Sequence, residues 1–306
     1  AKTMEFEGKG GDSMISRAGT LASDRSFTDG DWDYLGDGYY TEDDRKEMAD
    51  VVREERAQMA ANDDSDTSSL GTLDWHRSTQ LLGVGSFGCV FQAINHITGE
   101  ILAVKEVVSS KARIRAANAL RIELDTLRQL CHPNIVRYRG MFEREDSLCV
   151  AMEFCPGGSL SSILFKFGPL DDHVARNYTN QILSGLEYLH RHCIVHRDVK
   201  SANVLVGAGG VVKLADFGAS KRLHDLCTAS LQGTARYIAP EVVRRDRFVG
   251  RQSDVWSVGC CVVEMYSLAL PLDGQFSNDM TYLHLLAAIQ EPPAIPASLP
   301  PDAASF

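Results

Sequence analysis

The sequence predicts an α+β fold, and three observations carry that prediction. From Leu73-Asp74-Trp75 to about residue 155, short apolar and β-branched runs broken by glycines and turn residues read as strands. Beyond Pro156-Gly157-Gly158, apolar residues recur mostly at helical spacing. Most strands lie ahead of the helices, with one helix at about 112–131 among them, a pattern that fits an α+β class. Residues 1 to 72 differ in composition from both parts, so the folded region starts near Leu73.

The first 72 residues are rich in Gly, Ser and Asp, as in Gly8-Lys9-Gly10-Gly11-Asp12-Ser13 and Asn62-Asp63-Asp64-Ser65-Asp66. Such an acidic segment buries too little apolar surface to offset chain entropy and reads as mostly disordered. Residues 42–61 are an exception: Thr41 can cap a helix on which Met48, Val51, Val52 and Met59 share one side. A lone helix of that length is marginal in water, so it docks on something or forms only in part. The aromatic-acidic run from Asp31-Trp32-Asp33-Tyr34 to Tyr39-Tyr40 reads either as a solvated tail or as a short motif docking a regulator or scaffold.

In the strand region, Gly83-Val84-Gly85-Ser86-Phe87-Gly88-Cys89-Val90 lies between two strand-like runs. Its glycines let the backbone fold over phosphates and offer N–H groups to them. A dinucleotide-binding turn has the same glycine spacing but leads into a helix; here the strand Val90 to Ile94 follows. Ala103-Val104-Lys105 then sets a lysine in an apolar strand, from which it can reach the α- and β-phosphates of a nucleotide. A helix is predicted over about 112–131, with Ile122, Leu127 and Leu130 facing the core and Glu123 at the edge of that stripe, placed to orient Lys105 by an ion pair. His132-Pro133-Asn134 ends it, because the residue before proline is pushed out of helical geometry. Leu148 to Cys155 reads as a buried strand that becomes a connector; Met152 would wall a pocket for the base, and backbone near Glu153 and Cys155 would hydrogen-bond it.

Ser159 starts a short helix, and a longer one runs from about Asp171 to His192 with Val174, Tyr178, Ile182, Leu186 and Leu189 on its core face. It leads into His196-Arg197-Asp198-Val199-Lys200-Ser201-Ala202-Asn203 and, after strands at Val204 to Val206 and Val211 to Leu214, into Asp216-Phe217-Gly218. Two carboxylates, an amide and a lysine on neighbouring turns are the set that phosphoryl transfer needs. Asp198 can accept the proton of an attacking hydroxyl, Asn203 and Asp216 can hold Mg²⁺ against nucleotide phosphates, and Lys200 can stabilise charge developing on the transferred group. A solvated charged loop would require no such fixed spacing. Downstream, Thr228 and Ser230 precede Gly233-Thr234 and Ala239-Pro240-Glu241. Arg197 is a cation placed to receive a phosphate from one of those two hydroxyls, the alternative being that both are plain solvated loop residues. Asp254 to Met265 reads as a very apolar central helix, with Asp254 capping its start and holding catalytic-loop N–H groups. The last helix, about Ser277 to Gln290, is amphipathic through Leu283, Leu286 and Ile289, and proline-rich Glu291 to Pro301 follows.

Composition narrows the class. A formal net charge of −10 over 306 residues disfavours nonspecific binding to nucleic acid or anionic membrane, both themselves negative. The longest apolar stretch, Val255 to Leu272, contains Glu264 and falls short of the roughly 20 apolar residues of a membrane span. The eight cysteines form neither C-x-x-C pairs nor zinc-ligand spacings, so they read as reduced thiols of a cytoplasmic protein. The chain opens on Ala1 rather than Met and reads as a fragment.

The part from about Trp75 to Phe306 resembles the eukaryotic protein kinases, with every signature from the glycine loop to Asp254 in order. Lys200 in the catalytic loop, with Gly233-Thr234, is similar to the serine/threonine class. Within it, the chain resembles MAP kinase kinase kinases of the MEKK class through Leu82-Gly83-x-Gly85-Ser86-Phe87-Gly88, His132-Pro133-Asn134-Ile135-Val136, Gly157-Gly158-Ser159-Leu160, Ile194-Val195-His196-Arg197-Asp198 and Lys213-Leu214-Ala215-Asp216-Phe217-Gly218-Ala219-Ser220-Lys221. The resemblance implies a bilobal protein kinase fold: an N-lobe (73–154) of five antiparallel strands and one helix, then a mainly helical C-lobe (155–306) that stops where the family's last two helices would begin. It implies ATP and Mg²⁺ as cofactors, with Val90, Ala103 and Leu205 joining the residues above around the nucleotide. The implied substrate is a MAP kinase kinase, phosphorylated on activation-loop hydroxyls. It also implies that Glu241 pairs with an arginine, and none follows Arg251 here. Gly233-Thr234-Ala235-Arg236-Tyr237-Ile238 stands where the family has Gly-Thr-Pro-Tyr-Trp-Met, on the surface that receives the residue after the target hydroxyl. Another serine/threonine kinase family, or a nucleotide-binding scaffold without transfer activity, are the alternatives.

Overall fold

The computed structural model describes residues 75–85, 88–108, 128, 130–144, 147–217, 221–222, 235–244, 250–275, 279–297 and 299–305. The predicted helix at 42–61, the aromatic-acidic run, Ser86, Phe87, Glu123 with nearly all of its helix, and Thr228 and Ser230 lie outside those residues.

Five strands, β1 (Trp75–Gly85), β2 (Gly88–Asn95), β3 (Ile101–Val108), β4 (Tyr138–Arg144) and β5 (Ser147–Glu153), form one sheet in the order β1-β2-β3-β5-β4, every neighbour antiparallel. Strand alternation sorts their side chains. Leu102 and Val104 turn to one face, where they are buried with Trp75, Ala93, Cys149 and Ala151. Ala103 and Lys105 turn to the other. There Lys105 lies between Val90 and Val150 in register, and Ala103 lies beside Met152. Register alone therefore brings Val90, Ala103, Lys105 and Met152 onto one face.

The rest is mainly helical. A short strand β6 (Gly158–Ser159) leads into α1 (Leu160–Phe167), capped by Ser159, whose hydroxyl accepts from the Ser162 N–H at 3.2 Å. Helix α2 (Asp172–Arg191) buries Ala175, Ile182, Gly185, Leu186, Tyr188 and Leu189. Val174 and Tyr178 of the predicted core face are half-buried. Gly185 permits a close crossing: a Cβ there would lie 2.8 Å from the Asn134 carbonyl oxygen. After β7 (Ile194–Val195), strands β8 (Val204–Val206) and β9 (Val212–Leu214) pair with each other, β8 also pairs with β6, and β10 (Lys221–Arg222) pairs with β7. Helices α3 (Pro240–Arg244), α4 (Arg251–Ser267), α5 (Asp279–Ala288) and α6 (Pro301–Ala304) follow. One apolar core joins α1, α2 and α4 with the strands between them, from Leu160 and Ile182 through Leu214 to Val258 and Met265.

Two expectations need correction. Asp254 does not cap α4, which starts at Arg251 with Gly250 at the cap position. The polar Arg251-Gln252-Ser253 carries no apolar period to signal that first turn, which the Ser253 hydroxyl closes by donating to the Gly250 carbonyl at 2.6 Å. In α5, Tyr282 and Leu286 are the buried pair, while Leu283 is half-buried and Ile289 falls beyond the helix. Tyr282 reaches inward because its hydroxyl donates to the Arg236 carbonyl at 3.0 Å. The seven described cysteines are all free thiols. Among the described residues, no helix is long and apolar enough to cross a membrane.

Candidate active site

The site is built outward from Asp254, which is fully buried on α4. Its two carboxylate oxygens accept from the backbone N–H groups of His196, at 2.9 Å, and Arg197, at 2.8 Å; His190 Nε2 lies 2.8 Å from the first of them. Successive N–H groups can converge on one carboxylate because Arg197 adopts φ 68°, a left-handed conformation that non-glycine residues enter only when surroundings hold them there. Asp216 does the same, at φ 62°.

The next turn carries Asp198, Lys200 and Asn203. One oxygen of Asp198 receives both Lys200 Nζ, at 2.7 Å, and Asn203 Nδ2, at 2.9 Å, and the same amide donates to the Asp198 carbonyl at 2.8 Å. The Asn203 carbonyl in turn accepts the Ala215 N–H at 2.9 Å, which fixes Asp216 beside the loop. Asp216 Oδ1 meets Lys105 Nζ at 2.9 Å, so the sheet lysine reaches the catalytic turns. Burial pushes the Asp216 carboxyl upward, but the charge and hydrogen bond of Lys105 outweigh it and leave the group below the usual carboxylate range. Asp198, Lys200, Asn203, Asp216 and Lys105 thus form one connected group. Lys105 was expected to pair with Glu123, which lies outside the described residues; the ion pair described is with Asp216.

Beside this group, Met152 and Leu205 pack against Val136, Cys155 and Ala215, joining the connector after β5 to the strand after the catalytic turn. The Glu153 N–H is engaged by the Arg137 carbonyl at 2.9 Å and the Cys155 carbonyl by the Gly158 N–H at 3.1 Å; the Cys155 N–H meets no carbonyl among the described residues. Burial pushes the Cys155 thiol up to about 11, so it stays protonated. Gly83, Val84 and Gly85 end β1 and Gly88 opens β2, with Val84 largely exposed. An amide and one carboxylate, Asn203 and Asp216, are a donor set suited to Mg²⁺, a hard cation that keeps several waters and takes its remaining oxygens from phosphates. The Asn203 Oδ1 accepts no hydrogen bond among the described residues.

Several contributors were not singled out from the sequence. Asn134 read as part of a helix end and of a resemblance motif, with no role of its own, yet it is buried, donates to the Val212 carbonyl at 2.8 Å and to Gln181 at 3.0 Å, and its carbonyl accepts the Leu214 N–H at 2.9 Å. It ties α2 to β9. Lys213, on β9, pairs with Glu153 at 2.8 Å. A polar residue directly after a proline at a helix end was the available signal for Asn134; Lys213 gave none.

His196 is wholly buried against Phe217, ring centroids 4.9 Å apart, and accepts the Asp198 N–H at Nδ1, 3.3 Å. Burial lowers its pKa against the opposing pull of Asp254, Asp198 and Asp216. An imidazole that titrates lower when folded than when unfolded leaves the unfolded chain binding more protons. Its contribution is therefore present above about pH 6.5 and is lost as pH falls through the window below that value. The melting temperature is expected to drop between pH 7.5 and 5.5, and less so in His196→Phe; equal drops in the two would show that other groups carry the dependence.

A family model described as protein kinase domain matches residues 76–304. The chain is 43% identical over 244 residues to mitogen-activated protein kinase kinase kinase ANP1 of Arabidopsis thaliana, covering 76% of this chain and 36% of that protein. It is 38% identical over 255 residues to mitogen-activated protein kinase kinase kinase A of Dictyostelium discoideum, covering 81% of this chain and 27% of the relative. To cell division control protein 7 of Schizosaccharomyces pombe it is 40% identical over 230 residues, covering 74% and 21%. The chain spans about a third or less of the length of these relatives. With an antiparallel sheet ahead of a helical lobe and a model match over most of its length, the chain belongs to the protein kinase domain family.

Proposed function

We propose that the chain is a serine/threonine protein kinase that transfers the γ-phosphate of ATP to a hydroxyl of a protein substrate, a MAP kinase kinase. The observation that carries this reading is Asp198, oriented through one oxygen by Lys200 and Asn203 and linked through Ala215 to the Asp216–Lys105 pair. In it, Asp198 accepts the proton of the attacking hydroxyl, and Lys200, 2.7 Å away, moves with the developing charge on the transferred group. Lys105 reaches the α- and β-phosphates from its strand, and the backbone from Gly83 to Gly88 closes over them. Val90, Ala103, Met152 and Leu205 enclose the base, to which the Cys155 N–H donates. Asn203 and Asp216 hold Mg²⁺, which when bound neutralises phosphate charge. Glu123 orients Lys105, and Thr228 or Ser230, phosphorylated, pairs with Arg197.

The MAP kinase kinase assignment draws on the names of the relatives, three of which are mitogen-activated protein kinase kinase kinases of Arabidopsis thaliana. The test is phosphate transfer from labelled ATP to a panel of MAP kinase kinases and to a generic serine/threonine peptide, with Asp198→Asn as the blank. Transfer to the panel above the blank is expected, and mass spectrometry should place it on serine or threonine. Transfer to the peptide alone would keep the kinase reading and overturn the substrate. Wild type no faster than Asp198→Asn on either would overturn both.

A further inference from the structure

Three isoleucines stand exposed at one end of the five-stranded sheet. Ile94 on β2 and Ile101 on β3 are direct partners in register, and Ile97 lies in the turn between those strands. Ile94 is 39% exposed, Ile101 40% and Ile97 73%. Ala93 and Leu102, one step along each strand, turn to the opposite face and are buried. His76 of β1, opposite Ile94 in register, extends the isoleucine face, and its ring lies 6.1 Å from that of His96 in the turn. The turn itself is held firmly. The side-chain oxygen of buried Asn95 accepts from the N–H groups of Ile97, at 2.9 Å, and Thr98, at 3.2 Å. Its carbonyl accepts the Gly99 N–H at 2.8 Å, and Gly99 supplies the left-handed residue at φ 72°. A single exposed apolar side chain is ordinary on a surface, but three β-branched ones gathered on a fixed hairpin end form a contact surface already in shape to receive a partner.

We infer that this hairpin end is the docking surface for the chain's own segment 42–61, which is predicted as a helix and lies outside the described residues. Two observations choose that occupant. The first is where the chain enters the sheet. Trp75 opens β1 opposite Asn95, so everything from residue 1 to 74 reaches the fold beside this turn. The 13 residues from Asn62 to Asp74 are mostly Asp, Ser and Thr; as a coil they span about 20 Å, which keeps 42–61 over the turn at a millimolar local concentration. The second is pattern. Met48, Val51, Val52 and Met59 share one side of the predicted helix, about 16 Å from first to last at 1.5 Å per residue. Glu55 falls in the same stripe, three positions after Val52 and four before Met59, and is its one charged member. The exposed imidazoles of His76 and His96, at the edge of the isoleucines, offer N–H donors to that carboxylate. A helix of this length is marginal alone, and burying its apolar stripe on Ile94, Ile97 and Ile101 supplies what it lacks.

The inference goes beyond the kinase reading, and its test needs no turnover. In the 306-residue chain, a photo-cross-linking benzoylphenylalanine replaces Ile97, and an equal mixture of isotopically labelled and unlabelled chains is irradiated and mapped by mass spectrometry. Most cross-links are expected within one chain, to residues 48–59. Cross-links between labelled and unlabelled chains would assign the surface to a second copy. Cross-links to other parts of the chain, or none, would mean that 42–61 does not dock there, and either result overturns the inference. Hydrogen exchange gives a second readout. Ile97→Asp is expected to speed exchange of the backbone amides of 46–60 about tenfold, and Met48→Asp/Val52→Asp to do the same, while Ile97→Val stays near wild type. Ile97 is an exposed turn position whose N–H keeps its bond to Asn95, so the β2 and β3 amides should exchange as in wild type and report an intact sheet. Equal exchange of 46–60 in wild type and Ile97→Asp would overturn the docking.

Discussion

Lys105→Met is expected to lower phosphate transfer by two or more orders of magnitude and to leave the fold in place. Register sets Lys105 on the same sheet face as Val90 and beside Val150, and its ammonium crosses to Asp216 at 2.9 Å. A methionine fills about the same volume but brings no charge to the phosphates or to Asp216. Loss of one preorganised electrostatic group of this kind costs about 10²–10³ in rate. The stability cost should be smaller. The Asp216 side chain is 28% exposed and recovers water when its partner goes, so about 1–2 kcal/mol is expected rather than the ~3–5 of a fully buried pair broken on one side. Turnover in ATP and Mg²⁺, with circular dichroism and a thermal melt, measures both. Near-normal turnover with an intact spectrum would show that Lys105 is only a strand residue.

How far such a site could be read in advance depends on whether the residues involved are close along the chain. Asp198, Lys200, Asn203 and Asp216 were legible because they fall within 19 positions on two turns framed by short strands, and those turns fold as read. The face shared by Val90, Ala103, Lys105 and Met152 followed from period-2 alternation once each strand was placed. Contacts between distant segments left weaker traces. The Ser201 hydroxyl donates to Glu264 across 63 positions, and nothing in a serine and a glutamate taken singly says that they meet. Asn134 reaches Val212, 78 positions away, through an amide that looked like helix punctuation. Asp254 divides the same way: it looks like a helix cap locally, yet α4 starts three residues earlier, while its expected hold on the catalytic-loop N–H groups, 57 and 58 positions earlier, is present. Burial and hydrogen-bond demand decide these positions, and both are properties of the assembled fold.

Asp216→Asn should be as inactive as Lys105→Met, although it is the smaller chemical change. In the proposed function the carboxylate is one of two donors assigned to Mg²⁺, and a neutral amide binds a hard cation far less well, so activity should fall. A loss of at least two orders of magnitude is expected. Stability should fall by no more than about 1–2 kcal/mol, because the asparagine oxygen can still accept a hydrogen bond from Lys105 where the ion pair was. The pH dependence shows what the charge itself contributes. A carboxyl held below its unfolded value of about 3.9 contributes stability that is present above that pH and is lost as pH falls towards the folded value. Wild type should show that acid-side loss below about pH 4, and Asp216→Asn should show less of it. If Asp216→Asn keeps the full wild-type loss below pH 4, this carboxyl does not carry that dependence, and near-normal turnover in a folded variant would show that its role at the site is wrong.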